Sequence, residues 1–173
     1  MSLDKPIFTH EEIAHTVYML SQSLTSDYRN RDPLLLGVLK GAFVFLSDLV
    51  RQLDFPLEVG FVQCSSYRAG TKSTENVCLM LDSHSQLTDR EVIVVEDIVD
   101  TGLTATAILE KIEEANPYSI SLCTLLDKPQ RRQVSLHINY RGFIVPNQFV
   151  VGYGLDFNEK YRNLPDLWSL KEE

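Results

Sequence analysis

The chain has 173 residues, a length that fits one domain around one core. Apolar residues at 44% and charged residues at 23% are ordinary globular values. The net charge of −8 argues against a nucleic-acid-binding surface, and no apolar run reaches the length of a membrane span.

The first predicted element is a helix in which Ile13, Val17, Leu20 and Leu24 share one stripe. Thr9, followed three residues later by Glu12, predicts a capping box at its start. Asn30 to Pro33 reads as a turn. Leu34 to Leu39 is a continuous apolar run, the pattern of a strand buried on both faces of a parallel sheet. It ends at Lys40-Gly41, and Phe43, Leu46, Val50 and Leu53 then predict a second helix. Leu57, Val59, Phe61 and Gln63 alternate as a half-buried strand. Ser65 to Asn76 is polar, small and without apolar period, the composition of a loop. Val77 to Leu81 reads as the returning strand, and Ser83 to Arg90 as a polar connection.

Residues 92 to 104 organise the rest. Val92 to Val95 is an unbroken β-branched run, a second buried strand. Glu96 and Asp97 follow at once, where the strand is expected to leave the core. Asp100, Thr101, Gly102 and Thr104 make a polar turn, and Leu103, Ala107, Ile108 and Ile112 resume helical spacing, stopped at Asn116-Pro117. A helix start presents free N–H groups and a positive dipole end, so it can hold a phosphate. Thr101 and Thr104 add hydroxyls, and Gly102 allows close backbone approach. No Gly-x-x-x-x-Gly-Lys-Ser/Thr occurs, so this is not a Walker loop. Carboxylates beside a phosphate site can accept from vicinal sugar hydroxyls or help hold Mg²⁺. The plain alternative is a capped helix with solvated acids.

Further on, Ile120, Leu122, Thr124 and Leu126 predict a strand that ends at Asp127-Lys128-Pro129, with Gln130-Arg131-Arg132 following on the surface. Tyr140 to Val145 and Phe149 to Tyr153 read as two short strands around a Pro146-Asn147 turn. Gly152-x-Gly154 lacks the third glycine and the helix of a dinucleotide fingerprint. Cys64, Cys78 and Cys123 show neither zinc spacing nor a disulfide framework. Reduced thiols, with no apolar signal region at Met-Ser-Leu-Asp-Lys-Pro, predict a cytoplasmic protein. The four histidines show no ligand spacing, and there is no internal repeat.

Val94-Val95-Glu96-Asp97-Ile98-Val99-Asp100-Thr101-Gly102 closely resembles the phosphoribosyl-pyrophosphate (PRPP) motif of type I phosphoribosyltransferases. Leu39-Lys40-Gly41-Ala42, Leu126-Asp127-Lys128-Pro129, Phe149 to Asp156 and Tyr161-Arg162-Asn163-Leu164-Pro165 narrow the resemblance to the hypoxanthine-guanine family. It runs from about residue 8 to 165, and five motifs in the family's order make it specific.

The resemblance implies an α/β fold, a mostly parallel twisted sheet flanked by helices. A small hood from the N-terminal segment and about 127–173 would cover the base, within one domain spanning 1–173. It implies transfer of the phosphoribosyl group from PRPP to a 6-oxopurine, giving the nucleoside 5′-monophosphate and pyrophosphate, with Mg²⁺ as cofactor. Asp100 would be the general acid/base. Glu96 and Asp97 would orient the ribose and metal, and Thr101, Gly102 and Thr104 would bind the phosphate. Leu39, Lys40 and Gly41, with a cis Leu39–Lys40 peptide, would bind pyrophosphate, as would Arg162 and a lid carrying Ser66 and Tyr67. Lys128 would donate to the purine 6-oxygen, Phe149 would stack on the base, Val150 would meet its hydrogen-bonding edge, and Asp156 would hold Mg²⁺ beside the purine. A homo-oligomer, dimer or tetramer, is expected, with no nucleic-acid or membrane partner. The rival is a PRPP-sensing, nucleic-acid-binding regulator of the same fold. It would need a basic face, and this acidic chain retains Lys128, Phe149 and Asp156.

Overall fold

A computed structural model describes residues 2–66, 77–81 and 86–171. In chain order the elements are β1 (Ser2–Phe8), α1 (His10–Tyr28), β2 (Leu34–Leu39), α2 (Phe43–Val50), β3 (Glu58–Ser66), β4 (Val77–Leu81), β5 (Glu91–Val99), α3 (Leu103–Glu113), β6 (Ser119–Asp127), β7 (Tyr140–Ile144), β8 (Val150–Val151) and β9 (Leu167–Lys171).

Two sheets form. The larger has the order β4-β3-β2-β5-β6-β7, in which β3, β2, β5, β6 and β7 run parallel and β4 returns antiparallel to β3 at the edge. The buried apolar runs sit at its centre: Leu34, Leu35, Leu36, Ile93 and Val94 are all essentially inaccessible, as expected of strands covered on both faces. One face packs against α1 and α2, through Ile13, Val17, Leu24, Phe45 and Leu49 on Leu35, Ile93 and Val95. The other packs against α3, through Ala105, Ile108 and Ile112 on Leu36, Val92 and Val94. The expected α/β architecture is therefore observed. The smaller sheet, β1-β9-β8, is antiparallel and joins the chain's beginning to its end. Phe8 of β1 stacks on Phe143 of β7, ring centroids 3.9 Å apart, which fixes one sheet against the other.

The capping box forms with both halves: Glu12 N–H donates to Thr9 Oγ1, and Thr9 N–H donates to the Glu12 carboxylate at 2.8 Å. Other expectations shift. In α2 the buried residues are Phe45, Leu46 and Leu49, and Phe43 is exposed. The run Phe43-Val44-Phe45-Leu46 is apolar throughout, so its periodicity cannot set the phase of the helix, which packing on β2 sets instead. In β3 it is Val62 that is buried, while Val59 and Phe61 stay partly open, because α2 lies over β2 and leaves the sheet's flank uncovered. The strands around Pro146-Asn147 do not share a sheet: β7 extends the large one and β8 belongs to the small one. Strand β5 does not leave the core after Val95. Its pairing with β6 continues from Glu91 opposite Ser119 to Val99 opposite Asp127, and this carries Glu96 into the interior at 8% exposure.

Candidate active site

The carboxyl ends of β5 and β6 and the segment leading into β8 enclose a cavity of about 520 Å³, the size of a small-molecule site. Asp97, Asp100, Lys128, Phe149, Val150 and Asp156 line it together, although they come from positions spread over sixty residues. Open α/β sheets collect ligands at this edge, outside the carboxyl ends of the strands.

Asp100 leaves the ladder of β5 as the chain turns. Gly102 then takes φ +85°, a left-handed conformation that glycine adopts without strain, and α3 begins. No side chain caps this helix start through Gly102. Thr101 Oγ1 lies 3.4 Å from Leu103 N–H, and Thr104 is exposed on the first turn. The turn thus combines free helix-start N–H groups with two hydroxyls. The close contact of Gly102 is internal, however. A Cβ there would lie 2.8 Å from Arg132 Cδ.

Two cations face Asp100. Lys128 Nζ, from a side chain almost wholly buried, sits 3.5 Å from Oδ2, and Arg131 Nε sits 2.8 Å from Oδ1. The second contact is an ion pair without hydrogen-bond alignment, since Oδ1 has no hydrogen-bond partner. Phe149, at 50% exposure, lines the cavity with its ring perpendicular to that of Phe157, centroids 5.4 Å apart. Val150 is buried and pairs with Ser169 of β9. The arrangement places a carboxylate, a buried ammonium and an exposed aromatic around one hollow, a set suited to a planar polar heterocycle.

The second group lies beside it. Gly41 sits so close to Asp97 that a Cβ there would fall 1.7 Å from Asp97 Oδ2, and the peptide between Leu39 and Lys40 is cis. Gly154 backs the same loop: a Cβ on it would fall 2.2 Å from the Gly41 carbonyl oxygen. Arg162 ties the far side, with Nη2 2.7 Å from Asp156 Oδ1 and Nη1 donating to the Gly154 carbonyl at 2.8 Å, while its Nε is buried without an acceptor. Lys40 Nζ turns to Glu159 at 3.0 Å and holds that carboxyl below its usual range. Strand alternation separates Glu96 from Asp97. Glu96 shares a face with Val92 and Val94, and Asp97 shares one with Ile93 and Val95. Burial, and then the neighbouring Asp97 charge, push Glu96 well above the usual carboxylate range, and its Oε2 has no partner. Burial also lifts Asp97 from its ordinary 3.8 to about 6, against the lowering by the Ile98 N–H and Arg162.

A carboxyl whose folded value lies above its unfolded one binds more protons when folded, so its ionisation destabilises the fold as pH rises through that interval. For Asp97 the interval runs from about 4 to about 6. Asp97→Asn is therefore expected to stabilise the ligand-free protein at pH 7.5 by roughly 1–3 kcal/mol, the scale of a two-unit shift. The gain should vanish at about pH 3, where the wild-type carboxyl is largely protonated in both states. Thermal melts at the two pH values check this. An equal gain at both would mean that the effect is not electrostatic.

Sequence reasoning missed Arg131, Asn147, Gln148 and Leu155, which also line the cavity. The surface assignment holds for Gln130 and Arg131, which are exposed although Arg131 also reaches Asp100, and is corrected for Arg132, which is paired with Asp127 behind the turn. The only available signal was the density of cations after Lys128. Of the proposed lid, Tyr67 and residues 68–76 lie outside the described residues, as does the Ser66 side chain. Among the described residues no three His, Cys, Asp or Glu side chains gather as a ready-made metal cage. Cys123 is no nucleophile, because burial pushes its thiol up to about 12.

The sequence model of the phosphoribosyl transferase domain matches residues 5–158. A hypoxanthine-guanine phosphoribosyltransferase of Streptococcus pneumoniae (strain ATCC BAA-255 / R6) is 41% identical over 171 residues, 99% of this chain and 95% of that protein. A bifunctional protein TilS/HprT of Listeria innocua is 42% identical over 171 residues, and the chain spans 26% of its length. A crystal structure of a hypoxanthine-guanine phosphoribosyltransferase from Bacillus anthracis, with HEPES in the active site, superposes with a TM-score of 0.92 at 38% identity, over 98% of this chain and 100% of that one.

Proposed function

The chain belongs to the phosphoribosyl transferase family, among its hypoxanthine-guanine members, and from that membership we propose that it is a purine-salvage enzyme. It transfers the 5-phosphoribosyl group of PRPP to a 6-oxopurine, hypoxanthine or guanine, giving the nucleoside 5′-monophosphate and pyrophosphate. The observation that carries this reading is the juxtaposition, in one cavity, of Asp100, buried Lys128 and the exposed ring of Phe149, next to an uncapped helix start.

The base lies on Phe149, with its edge against the Val150 backbone. Lys128 donates to the 6-oxygen, a group that adenine lacks. The bond from the anomeric carbon to pyrophosphate breaks, and the bond to the purine ring nitrogen forms. Asp100 exchanges a proton with N7 as the charge on the base changes. Thr101, Gly102, Thr104 and the N-terminus of α3 hold the 5′-phosphate. The Leu39–Gly41 loop and Arg162, whose Nε has no acceptor, hold the pyrophosphate. Glu96 offers a buried, unpartnered oxygen to a ribose hydroxyl.

Asp97 and Asp156, with Glu96 nearby in the chain, are hard oxygen donors beside the pyrophosphate loop. They fit Mg²⁺, which needs only one or two carboxylates and takes its other ligands from substrate and water. When bound, Mg²⁺ neutralises charge on the departing pyrophosphate. The sheet of β1, β9 and β8 is the hood of a single domain. A cytoplasmic homo-oligomer, dimer or tetramer, completes the reading, and among the described residues no helix is long and apolar enough to cross a membrane.

The test is direct. The protein is incubated with PRPP and Mg²⁺ and offered hypoxanthine, guanine, xanthine or adenine separately, and the ultraviolet change is followed. Hypoxanthine or guanine should react and adenine should not, and excess chelator should stop the reaction until Mg²⁺ is restored. Turnover of adenine alone, or none with any base, would overturn the proposal.

A further inference from the structure

Three successive carbonyls leading into the phosphate turn, those of Val99, Asp100 and Thr101, are tied to the segment that follows β6. Val99 O accepts from Lys128 N–H at 2.9 Å and lies 3.5 Å from Arg132 Nη2. Asp100 O accepts from Arg132 Nε at 3.3 Å, and Thr101 O accepts from Gln133 N–H at 2.9 Å. In a trans peptide the C=O and the following N–H point in opposite directions. With these three carbonyls held on one side, the N–H groups of Asp100, Thr101 and Gly102 are directed to the other, as in the backbone concavities that bind anions.

Arg132 supplies the side-chain part of this anchorage. Its guanidinium is itself fixed by Asp127, a carboxylate 2% exposed at the end of β6 that also takes Arg141 at 3.3 Å. Its aliphatic stem lies against Gly102, where a Cβ would meet it. A buried carboxylate with two guanidinium partners is a stiff support, because releasing either partner leaves charge without compensation.

We propose that Arg132, held by Asp127, is a positioning residue for the 5′-phosphate subsite. It touches no substrate; it braces the turn from behind, so that the N–H groups stay aimed at the phosphate. The assignment rests on the phosphoribosyl reading above.

Binding of inosine 5′-monophosphate and of inosine to the full chain, measured by titration calorimetry, isolates the phosphate as the ratio of the two affinities. Arg132→Ala should lower that ratio about tenfold or more, the scale of a misdirected hydrogen bond to a charged group, while inosine binding stays within about threefold. Arg132→Lys should recover part of the loss, because an ammonium keeps the charge on Asp127 but not the fork that reaches the carbonyls. Should Arg132→Ala not fold, Arg132→Lys and Asp127→Asn make the same comparison, and both should lower the ratio. An unchanged ratio, or equal weakening of both ligands, in the folded variants overturns the assignment. A wild-type protein that binds the monophosphate no better than the nucleoside removes the phosphoribosyl reading itself, and the assignment with it.

Discussion

Asp100→Asn is expected to lower turnover by about 10² or more, the scale of a lost proton-transfer group. The substitution keeps the size of the side chain and one acceptor oxygen. It removes the ability to take a proton, and it removes the charge that faces Lys128 at 3.5 Å and Arg131 at 2.8 Å. The turn's backbone is anchored through carbonyls that the substitution leaves in place, among them Asp100 O itself. PRPP affinity should therefore hold within severalfold. Steady-state kinetics and calorimetry with PRPP separate the two quantities. Unchanged turnover removes Asp100 from the chemistry. A PRPP affinity that falls as far as turnover makes it a structural residue of the phosphate turn.

Gly41→Ala should be about as damaging, for a steric reason. The new methyl group would lie 1.7 Å from Asp97 Oδ2 and 2.5 Å from its Cγ, so either the carboxylate or the loop must move. The loop cannot retreat, because its carbonyl already rests on Gly154, where a Cβ would come within 2.2 Å. Asp97 is also held, since its Oδ1 accepts from the Ile98 N–H at 2.8 Å. A displacement near 1 Å in a positioning group costs on the order of 10² in rate, and that loss is expected in kcat/KM for PRPP. Binding of the nucleoside monophosphate, which has no pyrophosphate to seat in this loop, should suffer less. A variant with wild-type kcat/KM would show that Asp97 swings clear without consequence, and its proposed role would go with it.

Other features follow from the same contacts. Glu96 and Asp97, near the end of β5, cost the empty protein stability, because burial holds both above their usual range. Such destabilised, under-partnered groups are characteristic of sites completed by a ligand. Behind the turn the charges are compensated: Asp127 has two guanidinium partners among the described residues. The site is thus unsatisfied where substrate would sit and satisfied where the scaffold must be stiff.

The sequence by itself determined what depends on neighbours along the chain. The runs Leu34 to Leu39 and Val92 to Val95 specify buried parallel strands, Thr9 with Glu12 specifies a helix start, and Asp100 to Thr104 specifies a polar turn into a helix. Alternating strands and helices then fix the fold class, and with it the edge where ligands gather. Only tertiary structure decided the rest. β1 and β9 were not legible, because Ser2–Phe8 contains Pro6 and lacks alternation; it is a strand only because residues 167–171 pair with it from the other end of the chain. Glu96 looked like the start of a solvated edge until pairing with β6 buried it. Arg131 keeps its surface place, yet its contact with Asp100 arises only once β5 and β6 lie side by side, and Arg132 looked like a surface charge until the fold buried its partner Asp127 at the end of β6. A local pattern records the preference of a residue for strand, helix or turn, whereas burial and charge pairing depend on which distant segment arrives beside it.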